Sequence, residues 1–232
     1  MVLAIIPARF GSKGIRRKNI VDFCGKPLIQ YSIEAAIKSK YIDEILITSN
    51  DDDVIELAFG LGINTSYRRP DELATDSASM VDVIKHALEW FKNKRNQLPD
   101  SIIILQPTSP LRISSDIDNA LRLFKQGKLK SLVSVHKVSE HPYECVKSGY
   151  ENWTYLEYPK QDVFRRQDYE QNFFFINGAI YLLRTDFFLE NNTFVDKGRS
   201  FLFEMPKERG VDIDTPLDLE IAKSIFLSNH IN

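Results

Sequence analysis

Pro7-Ala8-Arg9-Phe10-Gly11-Ser12-Lys13-Gly14-Ile15-Arg16-Arg17-Lys18-Asn19 follows directly on the apolar run Val2-Leu3-Ala4-Ile5-Ile6. Gly11 and Gly14 let the backbone take φ > 0 and bring its N–H groups close to a ligand. Ser12 adds a hydroxyl, and Arg9, Lys13, Arg16, Arg17 and Lys18 add positive charge. Like charges so close in sequence repel one another, so a counterion is expected, and a nucleoside triphosphate would supply it. The loop also lies where open α/β sheets bind ligands, just past a buried strand. A solvated basic loop would account for the charges but not for the glycines. Neither G-x-x-x-x-G-K-[ST] nor G-x-G-x-x-G is present, so P-loop hydrolysis and Rossmann hydride transfer both lose ground.

Two further polar loops belong with the first. Gln106-Pro107-Thr108-Ser109-Pro110 ends the apolar run from Ile102 to Leu105, stiffened by its prolines and carrying an amide and hydroxyls suited to a polyol. In Asp212-Ile213-Asp214, extended backbone would turn both carboxylates the same way, ~7 Å apart. That spacing suits Mg²⁺ shared with substrate phosphates. Helix capping is the competing explanation. However, Thr215 before Pro216, with Asp218 three residues on, already forms an N-terminal helix signature without either aspartate. Cations and paired carboxylates on one sheet edge point to chemistry on a nucleoside triphosphate.

Alternating strand and helix patterns must place these loops together, which predicts a mostly parallel sheet covered by helices. Strands are expected at Val2 to Ile6, Glu44 to Thr48, near Ile63 to Tyr67, Ile102 to Leu105, Leu132 to His136, Phe173 to Leu183 and Phe201 to Met205. Pro27 opens a helix running to Ile37, and Asn50 caps the next, with Asp51, Asp52 and Asp53 at its positive end. Longer helices are read over about Ala78 to Lys94, after Ser114 or Ser115, and from Pro216 to about Leu227. Between residues 139 and 171 the periodicity fails, while Tyr143, Tyr150, Trp153, Tyr155, Tyr158 and Phe164 sit among charges. This reads as an extended arm whose aromatic surface needs a partner, or folds back on its own core.

Composition sets the limits. Among 232 residues 43% are hydrophobic and 27% charged, with a net charge of −2. That is ordinary globular usage with no global attraction to nucleic acid or an anionic membrane. Cys24 and Cys145 form no disulfide framework or metal spacing. With no basic leader and no run able to span a bilayer, a cytoplasmic protein is expected.

The ordered motifs Ile6-Pro7-Ala8-Arg9-x-Gly11-Ser12-Lys13-Gly14-Ile15-x-Arg17-Lys18-Asn19, Arg69-Pro70-x-Glu72-Leu73-Ala74-x-Asp76, Leu105-Gln106-Pro107-Thr108-Ser109-Pro110-Leu111-Arg112, Arg165-Arg166-Gln167, Asn177-Gly178-Ala179-Ile180-Tyr181 and Val211-Asp212-Ile213-Asp214-Thr215 cover nearly the whole chain. In these the sequence resembles the CMP-sialic acid synthetase family, the N-acylneuraminate cytidylyltransferases, with the legionaminic acid branch at least as similar. The resemblance implies a Rossmann-like nucleotidyltransferase fold in one domain over 1–232, with an arm at 139–171 that crosses to a second subunit of a homodimer. It implies that CTP and a nonulosonic acid, sialic or legionaminic, give the CMP-sugar and pyrophosphate for surface glycans. By that likeness Ala8, Arg9, Ser12, Lys13, Lys18, Asn19, Arg69 and Ser79 would bind the nucleotide. Gln106, Thr108, Ser109, Arg166 and Tyr181 would face the sugar, while Asp212 and Asp214 would hold Mg²⁺. Lys18, Arg9 and Asp212 would act in catalysis. Phe10 and Arg16 stand where many relatives have glycine and proline, and Asn50 where they often have aspartate. Glu144 stands where sialic-acid enzymes tend to place a lysine. Pseudaminic acid or 3-deoxy-manno-octulosonate enzymes share the chemistry, and an inactive nucleotide-binding scaffold is the non-enzymatic alternative.

Overall fold

The computed structural model describes residues 1–149, 152–158, 165–169 and 172–230; the side chains of Arg166 and His230 lie outside that description. In chain order the elements are β1 (Val2–Pro7), β2 (Asp22–Phe23), β3 (Lys26–Pro27), α1 (Leu28–Ile37), β4 (Glu44–Thr48), α2 (Asp52–Gly60), α3 (Met80–Arg95) and β5 (Ser101–Ile104). They continue with α4 (Ser114–Gln126), β6 (Ser131–Lys137), β7 (Val146–Ser148), β8 (Trp153–Tyr155), β9 (Phe174–Arg184), α5 (Thr185–Asn191), β10 (Phe201–Glu204) and α6 (Pro216–His230).

The central sheet has six strands in the order β10-β6-β9-β5-β1-β4. Its pairs are parallel except around β9, which runs antiparallel to both β5 and β6. Alternation along the strands divides the core. Ala4, Ile6 and Ile103 pack with Ile29 and Ile33 of α1, Val54 of α2 and Ile117 of α4. Leu3, Ile5, Ile102 and Ile104 face Ile84 and Leu88 of α3 and Phe188 of α5. Both faces being buried explains why the central strands are apolar throughout. A third cluster, including Ile15, Phe23, Ile213 and Leu219, fastens α6 to the glycine loop.

Several local expectations change. Asp51, not Asn50, caps α2, its side chain accepting from Asp53 N–H. Asn50 instead accepts from Phe10 N–H at 2.9 Å and donates to Asp71. Residues 63–67 form no strand, and Tyr67 is anchored by its side chain to His86 and Thr48 rather than by ladder bonds. Pro27 occupies the cap of α1, and Ile113 caps α4, its N–H donating to Asp116 Oδ2 at 3.1 Å. The signature before α6 holds, with Thr215 and Asp218 bonding reciprocally.

Within the arm, β7 and β8 pair antiparallel and are exposed throughout. Its root folds back: Tyr143 is buried and packs its ring against His141, Tyr169 and Phe173. Tyr150 and Phe164 lie outside the described residues.

His136 of β6 stacks near Phe175, with Nδ1 3.5 Å from Asn177 Nδ2. Burial, then the charge of Lys207, lowers its pKa from the ordinary 6.5. A histidine with a depressed folded-state pKa stabilises the fold fully above its unfolded value and loses that contribution as pH falls below it. Wild-type protein should therefore lose stability from about pH 6.5 downward. His136→Gln should flatten that loss by under ~1 kcal/mol, because the ring is only part-buried. Urea midpoints at pH 7.5 and 5.5 check this; equal slopes for both proteins would refute it.

Candidate active site

The first loop closes on itself. Ala8 N–H donates to Thr48 O at 2.9 Å, extending the β1–β4 pairing by one residue. Asn19 Nδ2 donates to Arg9 O at 2.9 Å and draws the far end of the loop back. On its outer side Arg17, in the left-handed region at φ 51°, pairs with Asp51 and Asp53 at the start of α2. Phe10 lies against the same guanidinium, 5.1 Å from its carbon to the ring centre.

On the inner side Lys18 Nζ donates to Ile213 O at 3.0 Å and to Asp214 Oδ1 at 2.8 Å. Gly14 approaches Asp214 so closely that an added Cβ would overlap the Asp214 carbonyl oxygen and stand 3.1 Å from its carbon. Ile213 N–H donates to Thr108 O at 2.9 Å. The three loops are thus joined at the carboxyl edge of the sheet.

The expected triphosphate counterion is partly replaced by the protein's own carboxylates. Arg9 and Lys13 share Asp76, Lys18 pairs with Asp214, and Arg17 turns outward. The Lys13–Asp76 pair is exposed, and such pairs are worth only ~0–1 kcal/mol, so phosphate can displace it.

A cleft of about 280 Å³ lies between the loops, lined by Pro7, Arg9, Gly11, Ser12, Lys18, Asn19, Arg69, Met80, Gln106, Pro107, Thr108, Asp212 and Asp214. Arg69 is buried beneath it, donating through Nε and Nη2 to Thr48. Burial lowers its pKa to about 10, which leaves it cationic at neutral pH. Gln106 rests on Gly178, whose φ of +73° suits glycine, and an added Cβ there would stand 3.2 Å from Gln106 Oε1. Burial raises the pKa of Asp212, with the charge of Asp214 adding and Thr108 and Lys18 opposing. Asp212 Oδ1 is buried without a hydrogen-bond partner.

Other predicted residues stand elsewhere. Ala8 is core, with its N–H already engaged by Thr48. Lys13 stands outside the cleft lining. Ser79 caps α3 through Val81 N–H, leaving its neighbour Met80 in the lining. Ser109 is buried, its Oγ unpartnered, in the turn after the lining residues Gln106, Pro107 and Thr108. Tyr181 of β9 joins the α3 and α5 cluster and packs on Phe194, and burial, then the charge of Asp212, raises its pKa. The Arg166 side chain is outside the described residues. Met80, being apolar, carries no sequence signal as a cleft residue.

A larger groove of about 1250 Å³ lies at the opposite, amino edge, lined by residues such as Val2, Tyr41, Ser101 and Lys125. It contains none of the predicted site residues, and α/β sheets bind ligands at the carboxyl edge.

A doubly covered, mostly parallel sheet with a cation-and-carboxylate cleft at its carboxyl edge is built to bind a nucleoside triphosphate, as nucleotidyltransferases do. The chain matches the cytidylyltransferase family over residues 3–220 and belongs to it. It is 37% identical over 231 residues to a pseudaminic acid cytidylyltransferase of Campylobacter jejuni, covering 98% of this chain and 97% of the relative. It is 34% identical over 229 residues to an N-acylneuraminate cytidylyltransferase of Escherichia coli, covering 97% of this chain but 52% of that protein. A CMP-N,N'-diacetyllegionaminic acid synthase of Legionella pneumophila is 30% identical, with 98% of this chain and 97% of the relative covered. The fold is shared with a solved CMP:2-keto-3-deoxy-manno-octonic acid synthetase complexed with CTP, at TM-score 0.70, 18% identity and coverage of 98% and 99%.

Proposed function

We propose that this cytidylyltransferase joins CTP to a nonulosonic acid for surface glycan assembly. The anomeric oxygen forms a bond to the α-phosphorus, the bond from that phosphorus to the bridging oxygen breaks, pyrophosphate leaves, and the hydroxyl proton passes to solvent. One observation carries the reading: Lys18 and Asp214 meet at 2.8 Å inside a cleft also lined by Arg9, Arg69 and Asp212. Arg9, Ser12 and Lys18 line the cleft and would hold the triphosphate, with Lys13 joining them from its place beside Asp76 and Lys18 beside charge that develops during displacement. Asn19 holds the loop closed, and Arg69 supplies a desolvated cation at the nucleotide end. Gln106 and Thr108 would orient the sugar.

The donor set fits Mg²⁺. Asp212 offers a buried oxygen with no protein partner, and Asp214 stands two residues on. Among the described residues no three His, Cys, Asp or Glu side chains could hold an ion by themselves. Substrate phosphates and water would complete the shell, as Mg²⁺ sites usually require. When bound, Mg²⁺ would neutralise phosphate charge and acidify the attacking hydroxyl.

Relatives acting on pseudaminic, N-acylneuraminic and legionaminic acids all align along this chain, so pseudaminic acid stands equally beside sialic and legionaminic acids as the acceptor. Pyrophosphate release from CTP and Mg²⁺ with each acid, and with 3-deoxy-manno-octulosonate, tests the reading. No release with any nonulosonic acid would refute it and favour a scaffold.

The arm's surface supports a homodimer. Trp153, Leu156 and Tyr158 are 59%, 64% and 66% exposed, an apolar strip that a second subunit would cover. Light scattering at micromolar concentration should give twice the 26.8 kDa chain mass, and Leu156→Asp should shift it toward monomer. A wild-type monomer would contradict the proposal. Both cysteines are free and, among the described residues, no helix is long and apolar enough to cross a membrane; we place the enzyme in the cytoplasm, with its CTP.

A further inference from the structure

Arg112 is fully buried, and none of its hydrogen bonds goes to a carboxylate. Nη1 donates to Gln106 O at 3.2 Å and to Ala179 O at 2.8 Å, while Nη2 donates to Ser32 Oγ at 2.6 Å. Nε has no partner. Ser32 Oγ, the acceptor of that last bond, itself donates to Gln106 O at 3.2 Å. Burial without a bonded counterion depresses the Arg112 pKa to about 10.

Taking a guanidinium out of water is costly, and one nitrogen of this one finds no partner, so its bonds must offset a large desolvation. The contacts indicate its use. Arg112 ties α1 through Ser32, the polar loop through Gln106, and β9 through Ala179. Each tied carbonyl adjoins a cleft feature: Gln106 carries the amide that lines the cleft, and Ala179 follows Gly178, on which that amide rests. Thr108, two residues past the tied carbonyl, accepts from Ile213 N–H between the two acidic residues.

We propose that Arg112 is a positioning residue that sets the Gln106–Thr108 loop against the acceptor sugar from beneath the cleft. It touches no substrate. It fixes the loop carrying the acceptor-side amide, while the triphosphate side rests on the separate glycine loop. Its removal should therefore affect the two substrates unequally. This inference rests on the proposed sugar transfer, and one readout is independent of it.

The test compares Arg112→Met and Arg112→Lys with wild type. Arg112→Met leaves three acceptors without this donor, so it should fold with a lowered thermal midpoint, yet bind CTP within about twofold of wild type. Its kcat/KM for the acceptor acid should fall by about tenfold or more, because small displacements at the reacting centre are costly. Arg112→Lys, which keeps a cation able to reach some of the carbonyls, should recover part of that loss. Amide exchange at Gln106, Thr108, Ser109 and Ile213 should quicken in Arg112→Met whether or not any sugar is turned over. Unchanged exchange, acceptor kinetics within twofold of wild type, or equal losses for CTP and sugar would each overturn the proposal. Should Arg112→Met fail to fold, Ser32→Ala removes one donor from Gln106 O and should give a smaller sugar-selective loss; none would overturn it. Wild-type inactivity on every nonulosonic acid would instead defeat the proposed function, leaving amide exchange to decide the role of Arg112.

Discussion

Asp212→Asn should lower turnover by about 10³-fold or more while leaving the fold intact. The asparagine keeps the shape of the side chain and can still face Thr108, so packing around the cleft is preserved. What it removes is the negative charge on a buried oxygen that no protein group satisfies. In the apoprotein that charge is a burden: burial and the neighbouring Asp214 already push the Asp212 pKa upward. The substitution should thus leave the thermal midpoint of the apoprotein unchanged or raise it. Loss of activity without loss of stability separates a residue kept for chemistry from one kept for structure. Pyrophosphate release at saturating CTP, acceptor and Mg²⁺ reads the first quantity, and calorimetry reads the second. Near-normal turnover would remove Asp212 from the machinery. A large fall in the midpoint would make it a structural residue.

The order of helices and strands was legible because period and punctuation agree along most of the chain. The apolar runs from Val2 and from Ile102 sit at the centre of the sheet, and Thr215 with Asp218 caps α6. The antiparallel direction of β9 was not legible, since the direction of a strand depends on where the preceding arm delivers the chain. Tyr181 illustrates the consequence. The family resemblance implies a sugar contact for it; along β9 it packs with Leu183 in the α3 and α5 cluster, opposite Ile180 and Leu182, while the charge of Asp212 in the cleft still reaches its hydroxyl. Ser109 sits in a turn set by contacts within it, which leaves its hydroxyl buried and without a partner. Charge count misled more subtly. The glycine loop is cationic, but Asp76, Asp51, Asp53 and Asp214 lie distant in sequence and meet it only in the folded chain. The loop and the acidic pair nonetheless converge, since Lys18 and Gly14 both touch Asp214.

That convergence makes Gly14→Ala a severe substitution at a residue with no side chain to contribute. A methyl group there would overlap the backbone carbonyl oxygen of Asp214, and neither partner is the free end of a flexible side chain. The glycine loop and the acidic segment must then separate by something of the order of 1 Å, a displacement that can cost about 10²-fold in rate when reacting groups are held on opposite sides. The same movement would lengthen the bonds from Lys18 to Ile213 and Asp214. Stability should fall by about 1–3 kcal/mol, the usual cost of forcing bulk into a packed contact. Gly11→Ala supplies the control: Gly11 lines the same cleft and carries the same residue type, but open space surrounds its would-be methyl group. Activity should therefore collapse in one variant and persist in the other, with CTP affinity following activity. Equal behaviour of the two would mean that the close approach of Gly14 to Asp214 does not hold the triphosphate loop against the acidic pair.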